Sequence, residues 1–488
     1  MSAEEVLAGL LARLPYVPNG QQAAVAEALS RFVAADSSDG SERVFVLNGY
    51  AGTGKTSLTG ALVSALESIG RRVILLAPTG RAAKVFSANS RGHQAFTIHR
   101  KIYRHSPGAA VPGNYGAGIP AENRERNALF IVDEASMIGG PDEHGNSLLH
   151  DLVQYVYAGD GCRMIFLGDT AQLPPVGSER SPAMNTQVLR SLGLKVSAAT
   201  LTAIARQASD SGILFNATRL RKAMAACRTE APATEEEAAA LVPKLRACPD
   251  VAVVQPEDLP ELLEQAYSED ITEAIVITRS NRRAAEFNAA IRSQVLYREE
   301  EISRDDLLIV SRNHYFSGRK PGGLDFIANG DIVGIERVYG TETRYGLRFA
   351  DVSLRLADGP EIDIKIILDT LTSESAGLTQ EQWTHLYDGI LRDDERFADS
   401  PASERLGQLP RDPYWNALHV KYAYAVTCHK AQGGQWKHVF VDLAYIPPEA
   451  LGPALYRWLY TAVTRARTRL YLLSPPEAMV DKLPRNAE

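Results

Sequence analysis

The chain has 488 residues, which is enough for about two to four domains that each bury their own core. It is 45% hydrophobic and 23% charged, as in an ordinary globular protein, and no apolar run approaches the ~20 residues that a membrane helix needs. The net charge of −7 does not favour nucleic acid as a partner, although a locally basic groove, hydroxyls or backbone amides can still bind phosphates.

The spacing of the cysteines and the N-terminal residues indicate the cellular compartment in which the protein is expected. The four cysteines are far apart and form no CxxC pair, which argues against a zinc site and a disulfide framework and fits a reducing cytoplasm. The first residues, MSAEEVLAGLLARL, are amphipathic and acidic at their start, so we expect a helix there and no signal peptide. We therefore expect a cytoplasmic protein that has no membrane partner.

Three glycines and a lysine follow the first strongly apolar run, VFVLN, at residues 44–48. The octet GYAGTGKT fits G-x-x-x-x-G-K-[ST] at every position, and the residues after it have helical spacing. Such a loop surrounds phosphates with backbone N–H groups, while its lysine neutralises charge and its threonine hydroxyl ligates Mg²⁺. The alternative is a glycine-rich turn with a solvated lysine. The residues predicted to bind a nucleoside triphosphate are Gly49, Tyr50, Ala51, Gly52, Thr53, Gly54, Lys55, Thr56 and Ser57.

Residues 104–127, RHSPGAAVPGNYGAGIPAENRERN, interrupt the pattern of strands and helices. Their glycine, proline and asparagine content predicts a loop or hairpin that projects from the first domain. Tyr115 is the only aromatic candidate for its tip.

The stretch ALFIVDEASMI at residues 128–138 predicts a buried strand that ends in two carboxylates. Asp133 is suited to the Mg²⁺ shell, and Glu134 is suited to take a proton from an attacking water. Because a kinase needs only the first carboxylate, the pair favours hydrolysis of the nucleotide. The alternative is a strand that ends at a solvated acidic turn.

Further strand-like runs separated by helical patterns fall into two groups, at residues 40–205 and at residues 270–330 with 415–480. This alternation predicts two similarly built α/β domains with parallel sheets and the nucleotide between them. Residues 208–265 have a helical pattern. Residues 328–368 alternate apolar and polar side chains between turn signals, which predicts a small antiparallel barrel or meander inserted in the second domain.

Short motifs in a fixed order complete the pattern. They are NGQQAAV (19–25), APTGRAAKVF (77–86), TIHRKIY (97–103), FLGDTAQLPPVGSE (166–179), LTAIARQ (201–207), AYAVTCHKAQGGQW (423–436) and YTAVTRARTRLYLL (460–473). With the phosphate loop and the carboxylate pair, they make the chain similar to superfamily 1 helicases over most of its length. The resemblance is to the RecD-like and Dda-like branch, which moves 5′→3′ on single-stranded DNA.

The resemblance implies ATP and Mg²⁺ as ligands and single-stranded DNA and tailed duplex DNA as partners; it names no protein partner. It implies that Gln21 reads the adenine, with Gln22 one register away as the alternative. The catalytic residues that it implies, together with those predicted above, are Lys55, Asp133, Glu134, Gln172, Arg206 and Arg465, with Thr56 and Asp133 on the metal. The DNA contacts that it implies are Pro78, Thr79, Thr97, His99, Thr427, His429, Lys430 and Gln432.

The expected fold is therefore α/β, with two RecA-like P-loop domains, a short hairpin insertion and a small inserted β-barrel that resembles an SH3-like barrel. The expected limits are 1–205 for the first domain with its hairpin at about 104–127, 206–330 plus 413–488 for the second, and 331–412 for the barrel and a helical segment.

The expected activity is ATP-dependent translocation on single-stranded DNA and duplex unwinding. An RNA helicase of the same superfamily remains an alternative, because gripping phosphates does not choose the sugar. A P-loop switch that recruits a partner without moving along a strand is a second alternative. A small-molecule kinase is disfavoured by Glu134 and by the length of the chain.

Overall fold

The computed structural model of the chain describes residues 2–35, 41–90, 92–104, 119–141, 145–204, 211–229, 242–316, 326–356, 361–375, 377–393, 405, 407–447 and 450–481. The strands in these ranges are β1 (Arg43–Gly49), β2 (Val73–Ala77), β3 (Ala95–Thr97), β4 (Tyr103–Arg104), β5 (Ile119–Pro120), β6 (Leu129–Val132), β7 (Arg163–Gly168), β8 (Lys195–Leu201), β9 (Val251–Val254), β10 (Ala274–Thr278), β11 (Leu307–Val310), β12 (His314–Tyr315), β13 (Phe326–Ile327), β14 (Ile332–Arg344), β15 (Leu347–Leu356), β16 (Glu361–Ile367), β17 (Leu418–Tyr422), β18 (Ala425–Thr427), β19 (Trp436–Asp442) and β20 (Ala466–Leu473).

The α-helices in the same ranges are α1 (Ala3–Leu11), α2 (Gly20–Ala34), α3 (Lys55–Ser68), α4 (Gly80–Asn89), α5 (Ile98–Ile102), α6 (Leu148–Tyr157), α7 (Thr186–Ser191), α8 (Gly212–Thr229), α9 (Leu259–Glu269), α10 (Asn281–Ala290), α11 (Gln380–Leu391), α12 (Cys428–Ala431) and α13 (Pro453–Val463). A π-helical turn, Ile291–Val295, continues α10.

The first sheet has six strands in the order β3-β2-β6-β7-β1-β8, and all of its pairings are parallel. Its central strands are buried along their length, as expected for a parallel sheet covered by helices on both faces. Its edge strand β8 is largely exposed. The phosphate loop joins β1 to α3 at the carboxyl end of this sheet, where parallel sheets place their ligands.

The second sheet has five strands in the order β18-β10-β19-β20-β9, again all parallel. The prediction of two parallel α/β sheets is confirmed. The helical interpretation of residues 208–265 is wrong in part, because β9 lies within that segment and forms the edge of the sheet. A run of only four residues, VAVV, is too short to tell a strand from a piece of helix by its pattern.

A closed five-stranded barrel, β11-β14-β15-β16-β17, confirms the inserted β-barrel. Its strands run from Leu307 to Tyr422, so it begins and ends outside the expected segment 331–412. The first and last barrel strands along the chain, β11 and β17, are fully buried and lack the alternation that marks barrel strands, so their sequences resemble those of buried sheet strands. The barrel and the second sheet share one hydrophobic core.

Strands β4 and β5 pair antiparallel at the base of the predicted hairpin. The residues between them, with Tyr115, lie outside the described residues.

Candidate active site

The phosphate loop has the backbone that its glycines predict. Gly54 has a φ of +86°, and a Cβ there would lie 2.6 Å from the Tyr16 hydroxyl, so both conformation and space require glycine. Lys55 opens α3, and its ammonium donates to the carbonyl of Gly49 across the loop. The Thr56 side chain is exposed at the start of the same helix. This arrangement suits a triphosphate, because helix amides, a lysine and a hydroxyl lie together at the start of α3.

Asp133 and Glu134 follow β6 at the same edge of the sheet. Glu134 has a φ of +49°, in the left-handed region that side chains rarely adopt, and its N–H donates to Asp133 Oδ1 at 2.9 Å. Burial, and next the neighbouring Glu134, raise the pKa of Asp133 to about 6, while the charge of Lys55 acts in the opposite direction. A carboxylate in this position fits a divalent cation, which would offset the cost of its charge.

Arg465 reaches the carboxylate pair from the second half of the chain, by which we mean the part that holds the second sheet and the barrel; the first half holds the first sheet. It is buried at the end of α13, where its guanidinium donates to Thr461 O at 3.0 Å and Gly434 O at 3.3 Å. Its Nη1 lies 3.9 Å from Glu134 Oε1. Lys55 in the first half acts on Asp133 through its charge, and Arg465 in the second half lies against Glu134. We call the space where the two halves meet at this pair the cleft.

A chain of hydrogen bonds crosses the cleft beside this pair. The N–H of Ala51 donates to the Tyr460 hydroxyl at 3.0 Å, and that hydroxyl donates to Asp169 Oδ2 at 2.6 Å. Asp169 and Tyr460 are each almost completely buried. The phosphate loop, the end of β7 and helix α13 are thus connected by one tyrosine.

The backbone of Leu173 forms a second link across the cleft. Its N–H donates to Thr461 Oγ1, and its carbonyl accepts from Gln432 Nε2, both at 2.8 Å. Gln432 is buried here with its amide bonded to the first half of the chain, and the DNA contact expected of it stays a prediction. Gln172, the residue before Leu173, is also buried, and its Oε1 has no hydrogen-bond partner among the described residues. A buried polar atom of this kind suits a residue that binds a ligand.

The geometry favours Gln22 over Gln21 near the phosphate loop. Gln22 is buried, and its Nε2 donates to the carbonyl of Thr53 at 3.0 Å. Gln21 instead accepts from the amides of Thr202 and Ala203 on the exposed side of α2. The sequence held the deciding signal, since an asparagine N-cap followed three residues later by glutamine is a capping box and fixes which glutamine turns inward.

The residues expected to contact DNA lie mostly at the ends of outer strands in each sheet. Thr97 ends β3 and Thr427 ends β18, so related positions of the two sheets carry the same residue type. Thr79, after Pro78, caps α4 by accepting from the N–H of Ala82 at 3.2 Å. The remaining candidates are His99, packed against Tyr103, the exposed His429, and the partly buried Lys430.

Burial, and next the charge of Lys421, lower the pKa of Lys430 to about 8.

Of the catalytic residues that the resemblance implied, Arg206 lies outside the described residues. Tyr460, Thr461 and Leu173 were missed from sequence, because their roles depend on which surfaces of the two halves meet.

Two family models match this architecture. Residues 19–239 match the AAA domain model, and residues 422–473 match the UvrD-like helicase C-terminal domain model. The first match holds the phosphate loop and the carboxylate pair, and the second holds Arg465. With these two matches, the chain is similar to superfamily 1 helicases of the RecD-like and Dda-like type.

The chain matches less than a third of the length of two curated relatives. The ATP-dependent RecD2 DNA helicase of Deinococcus radiodurans is 36% identical over 140 residues, which are 28% of this chain and 16% of that protein. The ATP-dependent DNA helicase dda of Enterobacteria phage T4 is 34% identical over 146 residues, 29% of each chain. A crystal structure of the Pif1 helicase from Bacteroides in complex with ADP-AlF3 and ssDNA superposes with a TM-score of 0.44 and 15% identity, covering 96% of this chain and 95% of that one.

Across the described ranges, no helix is both long and apolar enough to span a bilayer. Within the same ranges, no group of three or more His, Cys, Asp or Glu residues is placed to hold a metal ion by itself.

Proposed function

We propose that the chain is an ATP-dependent translocase on single-stranded DNA and a DNA helicase that moves 5′→3′. The observation that supports it best is the convergence of Lys55 and Arg465 on the Asp133–Glu134 pair from opposite halves of the chain. Hydrolysis at such a site responds to how tightly the two halves close, and closure is the movement that a translocase needs.

The proposed chemistry assigns one task to each group. Lys55 neutralises phosphate charge, and Glu134 accepts a proton from the attacking water. Thr56 and Asp133 would hold Mg²⁺, which supplies charge neutralisation at the β- and γ-phosphates when bound. Arg465 stabilises the charge that spreads onto the γ-phosphoryl oxygens. Gln172 and Arg206 are proposed to sense the same phosphate.

Movement on the strand is proposed to follow from contacts in both sheets. Thr79 and Thr97 belong to one half, whereas Thr427 and Lys430 belong to the other. If each half grips the phosphate backbone, a change in their separation advances one grip relative to the other. Phosphate contacts carry little sequence information, so we expect weak sequence preference and a steep loss of affinity with salt.

We propose the adenine-reading role for Gln22 rather than Gln21, on the contacts described above. The domain limits are also proposed, with the barrel extended to residues 307–422. A cytoplasmic location and a role in DNA repair or recombination complete the proposal.

Strand separation on tailed duplexes tests the function. Labelled DNA duplexes with a 5′ tail, a 3′ tail or no tail, and an RNA duplex with a 5′ tail, are incubated with ATP and Mg²⁺. The proposal predicts that the 5′-tailed DNA opens fastest. Opening only of 3′-tailed DNA would contradict the polarity, faster opening of RNA would favour an RNA helicase, and no opening with unstimulated hydrolysis would favour a P-loop switch.

A further inference from the structure

The first turn of α4 is covered by the second half of the chain. A Cβ built on Gly433 would lie 2.9 Å from Ala82 Cβ, and one on Gly434 would lie 2.5 Å from Arg81 Nε. The Arg81 guanidinium stacks on the Trp436 ring, 3.8 Å from its centroid. This turn belongs to the segment proposed to grip DNA, so the covering residues control access to it.

The closest of these contacts is made by a carboxylate. A Cβ built on Gly80 would lie only 2.1 Å from Asp331 Oδ1, so the oxygen rests directly against the glycine that begins α4. Asp331 is 8% exposed, and its Oδ1 has no hydrogen-bond partner within the described parts of the chain. A buried, unpartnered carboxylate oxygen is costly and calls for an explanation.

Asp331 is held in this position from the barrel side. Its Oδ2 accepts from the N–H of Ala328 at 3.0 Å, which closes the turn before β14. The turn is tied to β11 by the bonds Val310 N–H to Asp331 O and Gly330 N–H to Val310 O, both 2.8 Å. The carboxylate therefore belongs to a rigid part of the second half, and it leaves α4 only when the halves separate.

The position is one that favours an anion. Thr79 satisfies the amides of Ala82 and Ala83, whereas the first two amides of a helix have no partner within it. Burial has the larger effect and raises the pKa of Asp331, whereas the charges of Lys84 and Arg81 attract its carboxylate, and the helix dipole adds positive potential at this end. A phosphate of a bound strand would experience the same field.

We propose that Asp331 is an internal phosphate substitute: its carboxylate occupies the α4 N-terminus in the closed, DNA-free protein and must leave before a strand phosphate can bind there. This inference rests on the proposed function, since it names what competes with the strand at one of its contacts. In the closed protein, the α4 N-terminus would then hold the Asp331 carboxylate when DNA is absent and a strand phosphate when DNA is bound.

Removing the charge tests the competition. Asp331→Asn keeps an oxygen that can accept from Ala328, so the turn is retained, and Asp331→Ser is the second variant should the first not fold. Glu361→Gln is the matched control, an exposed carboxylate on the same barrel. Binding of oligo-dT by each protein is measured by fluorescence anisotropy between about 0.05 M and 0.5 M salt, a range over which exposed charges become screened.

We expect Asp331→Asn to bind oligo-dT about two- to tenfold more tightly than the wild type, from the usual strength of an anion at a helix N-terminus. The ratio should persist at high salt, because a buried contact is screened less than an exposed charge. Equal or weaker binding by Asp331→Asn, or the same gain in Glu361→Gln, would overturn the inference.

A second measurement does not depend on DNA. Amide hydrogen exchange across residues 78–86 should be faster in DNA-free Asp331→Asn than in the DNA-free wild type, and equal exchange would refute the contact. If the wild type does not bind oligo-dT at all, the proposed function is wrong, and the exchange comparison alone decides whether Asp331 holds α4.

Discussion

Among single residues, Arg465 shows how the fold holds a charged side chain in a fixed orientation. Its guanidinium is buried and donates to two carbonyls and to Thr464 Oγ1, all within its own half of the chain. Because these bonds fix its orientation, the arginine can stabilise developing charge with little reorganisation when the halves close.

Arg465→Ala should lower kcat for ATP hydrolysis by about 10³-fold or more, the usual contribution of an arginine finger, while nucleotide binding changes little. Steady-state hydrolysis and binding of a fluorescent ATP analogue measure the two effects. Arg469→Ala, an exposed arginine in β20, is the control. A kcat within about threefold of the wild type would remove Arg465 from the catalytic set.

The two adjacent glutamines make opposite predictions. Gln22→Ala should raise the KM for ATP by about tenfold, because it removes the buried amide beside the phosphate loop, whereas Gln21→Ala should leave the KM unchanged. Helical content by circular dichroism checks that α2 survives loss of its capping box. If Gln21→Ala raised the KM more than Gln22→Ala, Gln21 would be the residue that reads the adenine, as the resemblance first implied.

The lowered pKa of Lys430 predicts a pH dependence of DNA binding. This ammonium is charged below its pKa of about 8 and loses its proton above it, so affinity for oligo-dT should fall as the pH rises from about 7 to 9. Lys430→Arg stays protonated over this range and should bind with a flatter profile. Identical profiles for the two proteins would mean that another group titrates or that Lys430 does not contact the strand.

At the scale of elements, helix α13 carries the links across the cleft. Tyr460 and Thr461 bond to the phosphate loop, Asp169 and Leu173, and Arg465 follows at the helix end. Residues 460–465 thus contact three loops of the first sheet, namely those after β1 and β7 and, through Arg465 and Glu134, the one after β6. Any displacement of α13 changes all these bonds together, which gives the halves discrete arrangements rather than a continuous range.

Tyr460→Phe isolates this link, since it removes the hydroxyl and keeps the ring. It leaves the buried Asp169 carboxylate without one of its donors, so we expect a loss of about 1–3 kcal/mol in the free energy of unfolding and a weaker response of hydrolysis to DNA. Urea denaturation and ATPase assays measure both. Tyr456→Phe on the same helix, whose hydroxyl lies near Cys227, is the control, and equal effects in the two variants would contradict the linking role.

The sequence predicted the elements whose pattern is local. The phosphate loop, the strand before Asp133 and both parallel sheets follow from spacing, runs of buried residues and glycine placement. The barrel limits could not be predicted, because β11 and β17 are buried throughout and their pairing joins segments more than 100 residues apart. The hydrogen bonds of Gln432 and Tyr460 depend on contacts between the two halves. No local sequence pattern predicts which surfaces of separate sheets will meet.

At the scale of the whole molecule, two parallel sheets present their ligand-binding edges to one cleft, and a barrel continuous with the second sheet reaches back to α4 of the first half through Asp331. In the proposed function, closure brings together the residues assigned to the triphosphate on one side and those assigned to the strand on the other. A coupling of this kind is reciprocal, so a strand that favours closure must also favour nucleotide binding.

Coupling between strand and nucleotide is measured by steady-state ATP hydrolysis with and without oligo-dT, compared between the wild type and Lys55→Ala. We expect oligo-dT to raise wild-type kcat by about tenfold or more and Lys55→Ala to show no stimulated rate, because strand and nucleotide act through one closure. A wild-type rate that is the same with and without oligo-dT would contradict this expectation.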